Sequence, residues 1–266
     1  MKFSRIAAVL CVVALCLAFV AQAMATKYVA LGDSYSSGVG TRTFYEPTCQ
    51  RSVYAYPYLE HEAHPTWTFV NATCSGATTS TLLSEQVSSV TSDTNWVTYT
   101  IGGNDAGFSH VITECALPSW ASDCNGAINE AQAIIKNTLP GRLDSVNNAI
   151  KTRAPSAKVI VLDYPKLFNG EDCNAFTWFS SSEEARLNET AELLRTTLSA
   201  AATRAGSNFV FRDVIPAFIG HAVCDGGSGS STEWINGLSS PTSESYHPKV
   251  AGHANGYYPA VHGVTG

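Results

Sequence analysis

The 266-residue chain is 45% apolar and 14% charged, and 16 basic against 22 acidic side chains give it a formal net charge of −6. That composition excludes an intrinsically disordered chain, and the acidic balance excludes recruitment to nucleic acid or to an anionic membrane by bulk charge. The length suits one α/β domain of roughly 200 to 250 residues once a targeting segment is set aside.

That segment comes first. Lys2 and Arg5 precede an apolar stretch from Ile6 to Val20, which runs into Ala21-Gln22-Ala23-Met24-Ala25. This is the pattern of a secretory signal peptide cut after Ala25. A membrane anchor would need about 20 clean apolar residues with polar flanks, and the small-residue ending argues against it. Without residues 1–25 the chain keeps 14 basic and 22 acidic groups, a balance of −8. Residues 26–266 are expected to form a single domain, secreted and extracellular, that works as a monomer without stable membrane insertion.

Along this domain, short apolar runs alternate with longer helical patterns. Tyr28–Leu31, Trp67–Val70, Val97–Ile101, Lys158–Leu162 and Phe209–Phe211 read as strands. Helices are expected at 53–63, 78–90, 127–153 and 182–205, with a last one from Val250 to Tyr258. Pro140-Gly141 should break or kink the third, because proline removes an amide donor and clashes with the preceding turn. Strand–helix alternation of this kind points to an α/β fold with a five-stranded parallel sheet covered on both faces.

Cys11 and Cys16 leave with the signal segment, and Cys49, Cys74, Cys115, Cys124, Cys173 and Cys224 remain. An even number in a secreted chain argues for disulfides, and no C-x-x-C pair suggests zinc. Spacing leaves the pairing open; pairing in sequence order is the simplest arrangement.

In an open parallel sheet, ligands gather at the carboxyl ends of the strands. After the first strand comes Gly32-Asp33-Ser34-Tyr35, where Ser34 can project a hydroxyl into a cleft or merely cap a helix. The second strand is followed by Cys74-Ser75-Gly76-Ala77 and the third by Gly102-Gly103-Asn104-Asp105. The amides of Ser34 and Gly76 with the Asn104 side chain would supply three donors around one oxygen, as an oxyanion requires. Ordinary turn chemistry accounts for any one of these turns alone, but three in succession point to a site. Asp33 and Asp105 are read as loop and helix-start acceptors rather than as catalytic acids.

A serine nucleophile needs a base. Of the seven histidines, His61 and His64 flank Glu62-Ala63, one residue short of the H-E-x-x-H zinc helix. His110, His221, His253 and His262 have no distinctive setting. His247, in Ser245-Tyr246-His247-Pro248, is aimed by the proline that follows, and Glu244 three residues earlier could orient its ring. No G-x-S-x-G elbow, nucleotide-binding glycine loop or metal cluster is present in the sequence. No metal and no cofactor is therefore expected.

These four blocks, Gly32-Asp33-Ser34-Tyr35, Gly76 in its turn, Gly102-Gly103-Asn104-Asp105 and Ser245-Tyr246-His247-Pro248, resemble those of the SGNH (GDSL-type) hydrolases. Over about residues 28–260 the chain is similar to the secreted, three-disulfide esterases, lipases and phospholipases of actinomycetes in that family. The resemblance implies a flavodoxin-like three-layer α/β/α sandwich. It implies Ser34 as nucleophile, His247 as general base, and Ser34, Gly76 and Asn104 as oxyanion hole. It also implies the pairs Cys49–Cys74, Cys115–Cys124 and Cys173–Cys224. The usual family aspartate is replaced by Glu244, so either its carboxylate or a main-chain carbonyl at or near it orients the histidine. Tyr35 stands where the family's name-giving leucine would be.

The expected activity is a serine ester hydrolase of carboxylesterase or lipase type acting through an acyl-enzyme on small-molecule or lipid esters. Phospholipase A and carbohydrate acetylesterase are alternatives on the same site. A binding protein on an inactive scaffold is the rival of another class.

Overall fold

The computed structural model describes residues 25–266, so the signal segment read over residues 1–25 lies, except for Ala25, outside the described residues. Its centre is a parallel sheet of five strands, β1 (Lys27–Gly32), β2 (Thr68–Asn71), β3 (Trp96–Thr100), β4 (Lys158–Leu162) and β5 (Phe209–Arg212). They lie in the order β2-β1-β3-β4-β5, the flavodoxin-like order, which changes direction between β1 and β3. The inner strands β1, β3 and β4 are buried almost throughout, whereas edge strand β2 stays half-exposed. Strands covered on both faces can be apolar at every position, which is why they show as runs rather than alternations.

Helices α1 (Ser34–Ser37), α2 (Tyr56–Ala63), α3 (Thr79–Thr81), α4 (Phe108–Ala116), α5 (Cys124–Asn137), α6 (Leu139–Arg153), α7 (Ser181–Ala205), α8 (Val250–Gly252) and α9 (Tyr258–Thr265) complete the frame. On one face Tyr99 of β3 reaches α6, its hydroxyl donating to Asn147 Oδ1 at 2.6 Å. On the other, Tyr28 and Thr98 share a hydrogen bond of 2.8 Å beneath the layer where Tyr56 of α2 stacks on Tyr257. The result is a three-layer α/β/α sandwich.

Several boundaries differ from the sequence expectation. The helix expected at 127–153 is two helices joined at Thr138, and Pro140 sits in the first turn of α6, where a missing amide costs nothing. The segment expected as one helix at 78–90 is the short α3, a π turn (Leu82–Gln86) and a 3₁₀ turn (Val87–Ser89). The last helix does not stop at Tyr258. Helix α8 passes through a π turn at His253–Tyr257 into α9. Helix α7 starts where expected because Ser180 and Glu183 form a reciprocal cap.

Three disulfides join Cys49 to Cys74, Cys115 to Cys124 and Cys173 to Cys224. Among the described residues no helix is long and apolar enough to cross a membrane.

Candidate active site

The carboxyl end of β1 delivers the first component. Asp33 caps α1, its Oδ1 accepting from the Tyr35 amide at 3.0 Å and its Oδ2 from the Tyr164 hydroxyl at 2.5 Å. Burial pushes this carboxyl up to about 7, against the pull of those two hydrogen bonds. Ser34 is the first residue of α1, so its amide has no partner within the helix. Among the described residues no acceptor meets the amides of Ser34 or Gly76.

Gly76 lies after β2 at φ +78°, a backbone region that disfavours any side chain. The Cys49–Cys74 bridge and the bond from Ser75 N to Cys49 O at 3.0 Å pin this turn. Asn104, after β3, donates one amide hydrogen to Ala77 O at 3.0 Å, which draws the second and third turns together. Asn104 also lines the cleft beside Ser34. Asp105 points away, accepting from the Thr79 amide at 2.8 Å, the Thr79 hydroxyl at 2.6 Å and Arg142 at 3.0 Å.

His247 completes the cluster. Its Nε2 lies 2.7 Å from Ser34 Oγ, and its Nδ1 lies 2.8 Å from the Ser245 carbonyl oxygen. A carbonyl can only accept, so the ring proton sits on Nδ1 and Nε2 is free to take the hydroxyl proton. Burial lowers the His247 pKa to about 4, although the Ser245 hydrogen bond works in the opposite direction. The ring is thus neutral in neutral solution, the state a base requires.

The chain around His247 is held from several sides. Ser245 is extended at φ −60°, ψ 139°, and Tyr246 takes φ +59°, the left-handed region uncommon for a residue with a side chain. The Tyr35 hydroxyl donates to Tyr246 O at 2.6 Å, and the Asn236 amide donates to His247 O at 2.9 Å. Gly40 lies so close beneath that an added Cβ would come within 2.7 Å of His247 O.

This geometry chooses between the two alternatives left open at Glu244, in favour of a main-chain carbonyl next to it. Neither its carboxylate nor its own carbonyl meets the imidazole; the acceptor is the carbonyl of Ser245. The turn places that carbonyl under the ring, and the Glu244 carboxylate lies 2.8 Å from Arg42 Nε instead.

A serine held on an imidazole, beside free amides at the carboxyl ends of β1 and β2, is an arrangement for acyl transfer. The family model for GDSL-like lipases and acylhydrolases matches residues 30–254. The chain belongs to this family. It is 42% identical over 246 residues to Lipase 1 of Streptomyces coelicolor, a match covering 91% of this chain and 88% of that one. The crystal structure of an extracellular lipase from Streptomyces rimosus superposes with a TM-score of 0.82 at 39% identity, covering 90% of this chain and 99% of that one. The crystal structure of phospholipase A1 from Streptomyces albidoflavus gives a TM-score of 0.80, also at 39% identity and with the same coverage. This GDSL-like acylhydrolase is an ester-cleaving hydrolase.

Beside Ser34 opens a largely apolar cleft. Its walls include Phe108 and Ile112 of α4, Ile135 of α5, Leu187 and Leu194 of α7, and Leu167. The Cys115–Cys124 bridge joins the two helices of one wall. Two tyrosines were not foreseen as part of the site. Tyr164, after β4, receives the Gly103 amide at 3.1 Å while donating to Asp33, and so links the turns that carry Ser34 and Asn104. Tyr35 links the Ser34 helix to the His247 turn. The only sequence signal for Tyr164 was its place just beyond a strand's carboxyl end.

Proposed function

We propose that the protein hydrolyses lipid esters with extended acyl chains, with Ser34 as nucleophile and His247 as general base. The observation that carries this reading is the 2.7 Å contact between Ser34 Oγ and His247 Nε2 at the wall of the apolar cleft. Ser34 attacks the acyl carbonyl as Nε2 takes its proton. The developing oxyanion is received by the amides of Ser34 and Gly76 and by Asn104 Nδ2. The alcohol leaves with the proton from His247, and water activated by the same nitrogen releases the acid from Ser34. In each step the imidazolium is steadied by the Ser245 carbonyl dipole, without a carboxylate partner. Residues 1–25 direct the chain out of the cell, and residues 26–266 act there as one domain.

The lining of the cleft supports this substrate class. Its apolar walls suit a hydrocarbon chain better than a sugar. Each methylene buried there is worth about 0.8 kcal/mol, or roughly a fourfold gain in kcat/KM. A series of 4-nitrophenyl esters from acetyl to palmitoyl should therefore climb in kcat/KM until the cleft is filled. A maximum at acetyl would overturn the reading and favour an acetylesterase. The likeness to the phospholipase A1 structure adds a second substrate, so phosphatidylcholine belongs in the same series, with fatty acid release as the readout.

A further inference from the structure

On the layer opposite the cleft, a group outside the serine site lacks a role. Glu60 lies on α2 and is wholly buried, yet the cationic groups within salt-bridge distance, among the described residues, are two imidazoles. His64, one helical turn on, brings Nε2 to 2.9 Å from Glu60 Oε1. His262 of α9 brings Nδ1 to 3.3 Å from Glu60 Oε2. One ligand atom from each of the three residues lies within 4.8 Å of the others.

We propose that Glu60, His64 and His262 form a binding site for a divalent transition metal, zinc above all, which clamps α9 to α2. The argument starts from His64. Its Nε2 is buried and 2.9 Å from a carboxylate oxygen, yet it makes no hydrogen bond. A donor that close but badly aligned is poorly placed for an N–H···O bond and well placed to share a third atom. Ligands around a tetrahedral zinc ion with bonds of about 2.0–2.2 Å stand roughly 3.3–3.5 Å apart; His262 Nδ1 is at that distance from Glu60 Oε2, and His64 Nε2, at 2.9 Å from Oε1, has to open only slightly.

The surroundings hold these groups in place. The His64 ring stacks on Trp67 with centroids 3.8 Å apart, and the His262 ring stacks on Tyr258 at 5.1 Å. The Thr265 hydroxyl donates to Glu60 Oε1 at 2.5 Å, the kind of outer hydrogen bond that orients a metal-binding carboxylate. A divalent ion would also supply the positive charge that a buried carboxylate otherwise lacks. Two imidazole nitrogens and one oxygen favour zinc, or nickel or copper, over calcium and magnesium, which prefer oxygen. The side chain of His262 is 41% exposed, which gives the ion an entry path from solvent.

The test uses the untagged mature protein, treated with EDTA and dialysed, and titrated with zinc chloride in a calorimeter and in thermal melts. Wild type should take up one equivalent with a Kd of about 10 µM or tighter, and its Tm should rise. His262→Ala should bind at least about thirtyfold more weakly and lose the Tm response. His262→Gln, a milder change at the same exposed position, should behave likewise, which guards against a variant that fails to fold. His221→Ala, at an unrelated histidine, should bind as wild type does. Absence of stoichiometric binding in the wild type would overturn the proposal, as would equal zinc binding by wild type and both His262 variants. Turnover of a short ester should be the same in the stripped and zinc-loaded wild type, since none of the three residues lines the cleft.

Discussion

Glu244→Gln separates two ways of orienting His247. The substitution keeps the size of the side chain and removes its charge. In a triad whose carboxylate holds the histidine, the corresponding change costs about 10⁴ in turnover, or about 5.5 kcal/mol of barrier. Here His247 Nδ1 meets the Ser245 carbonyl at 2.8 Å, while the Glu244 carboxylate lies 2.8 Å from Arg42 Nε. The glutamine therefore leaves the ring's tautomer and aim untouched, and turnover should fall by less than about tenfold, or about 1.4 kcal/mol. Because Arg42 is half-exposed, the loss of this ion pair should cost less than about 1 kcal/mol of stability. Initial rates on 4-nitrophenyl butyrate, with a melting curve to establish the fold, measure both quantities. A hundredfold or greater drop in a folded protein would refute the carbonyl account.

Three further outcomes follow from the same geometry. With the His247 pKa lowered to about 4 by burial, its neutral form persists as the pH falls, so kcat/KM should hold through pH 5.5 and be half lost near 4. A limb near 6.5 to 7 would show an ordinary histidine, or Asp33, in control. Tyr35→Phe removes the hydroxyl that donates to Tyr246 O at 2.6 Å, and urea unfolding should show a loss of about 1–3 kcal/mol with turnover down about tenfold. From sequence separations of 51, 25 and 9, loop closure assigns about 4, 3.5 and 2.6 kcal/mol to the bridges Cys173–Cys224, Cys49–Cys74 and Cys115–Cys124. Paired Cys→Ser variants should lose Tm in that order, with activity most affected at Cys49–Cys74 because it pins the Gly76 turn.

The strands were legible because buried parallel strands carry no polar face to blur them, and only their ends moved by a residue. Helix α4 was missed: Gly107 offers no side-chain cap, and only Val111 and Cys115 of its nine residues are buried. The segment after Thr78 is rich in serine and threonine, which compete for backbone partners, so a regular helix gives way there to π and 3₁₀ turns. In the site, the turns bearing Ser34, Gly76 and Asn104 were visible because each follows a strand. The partner of His247 was legible only as a choice between the Glu244 carboxylate and a nearby main-chain carbonyl, since any residue can present a carbonyl and the sequence does not say which one the turn aims at the ring. The hydroxyls of Tyr35 and Tyr164 were hidden for a related reason, because buried tyrosines ordinarily read as packing. His64 was legible only beside Glu62, which lies on the wrong face of the helix for it, whereas Glu60, one helical turn earlier, is its neighbour in the fold.

The central claim is that Ser34 carries the acyl group, and the most direct measurement maps a covalent adduct. The mature protein is treated with a fluorophosphonate and digested, and the modified peptide is sequenced by mass spectrometry. One label per chain should appear on Ser34. Ser34→Ala, still folded, should take up none and lose about 10⁴ or more in ester turnover. A stoichiometric label on a different residue, or a folded Ser34→Ala protein with a tenth of wild-type turnover, would contradict the account.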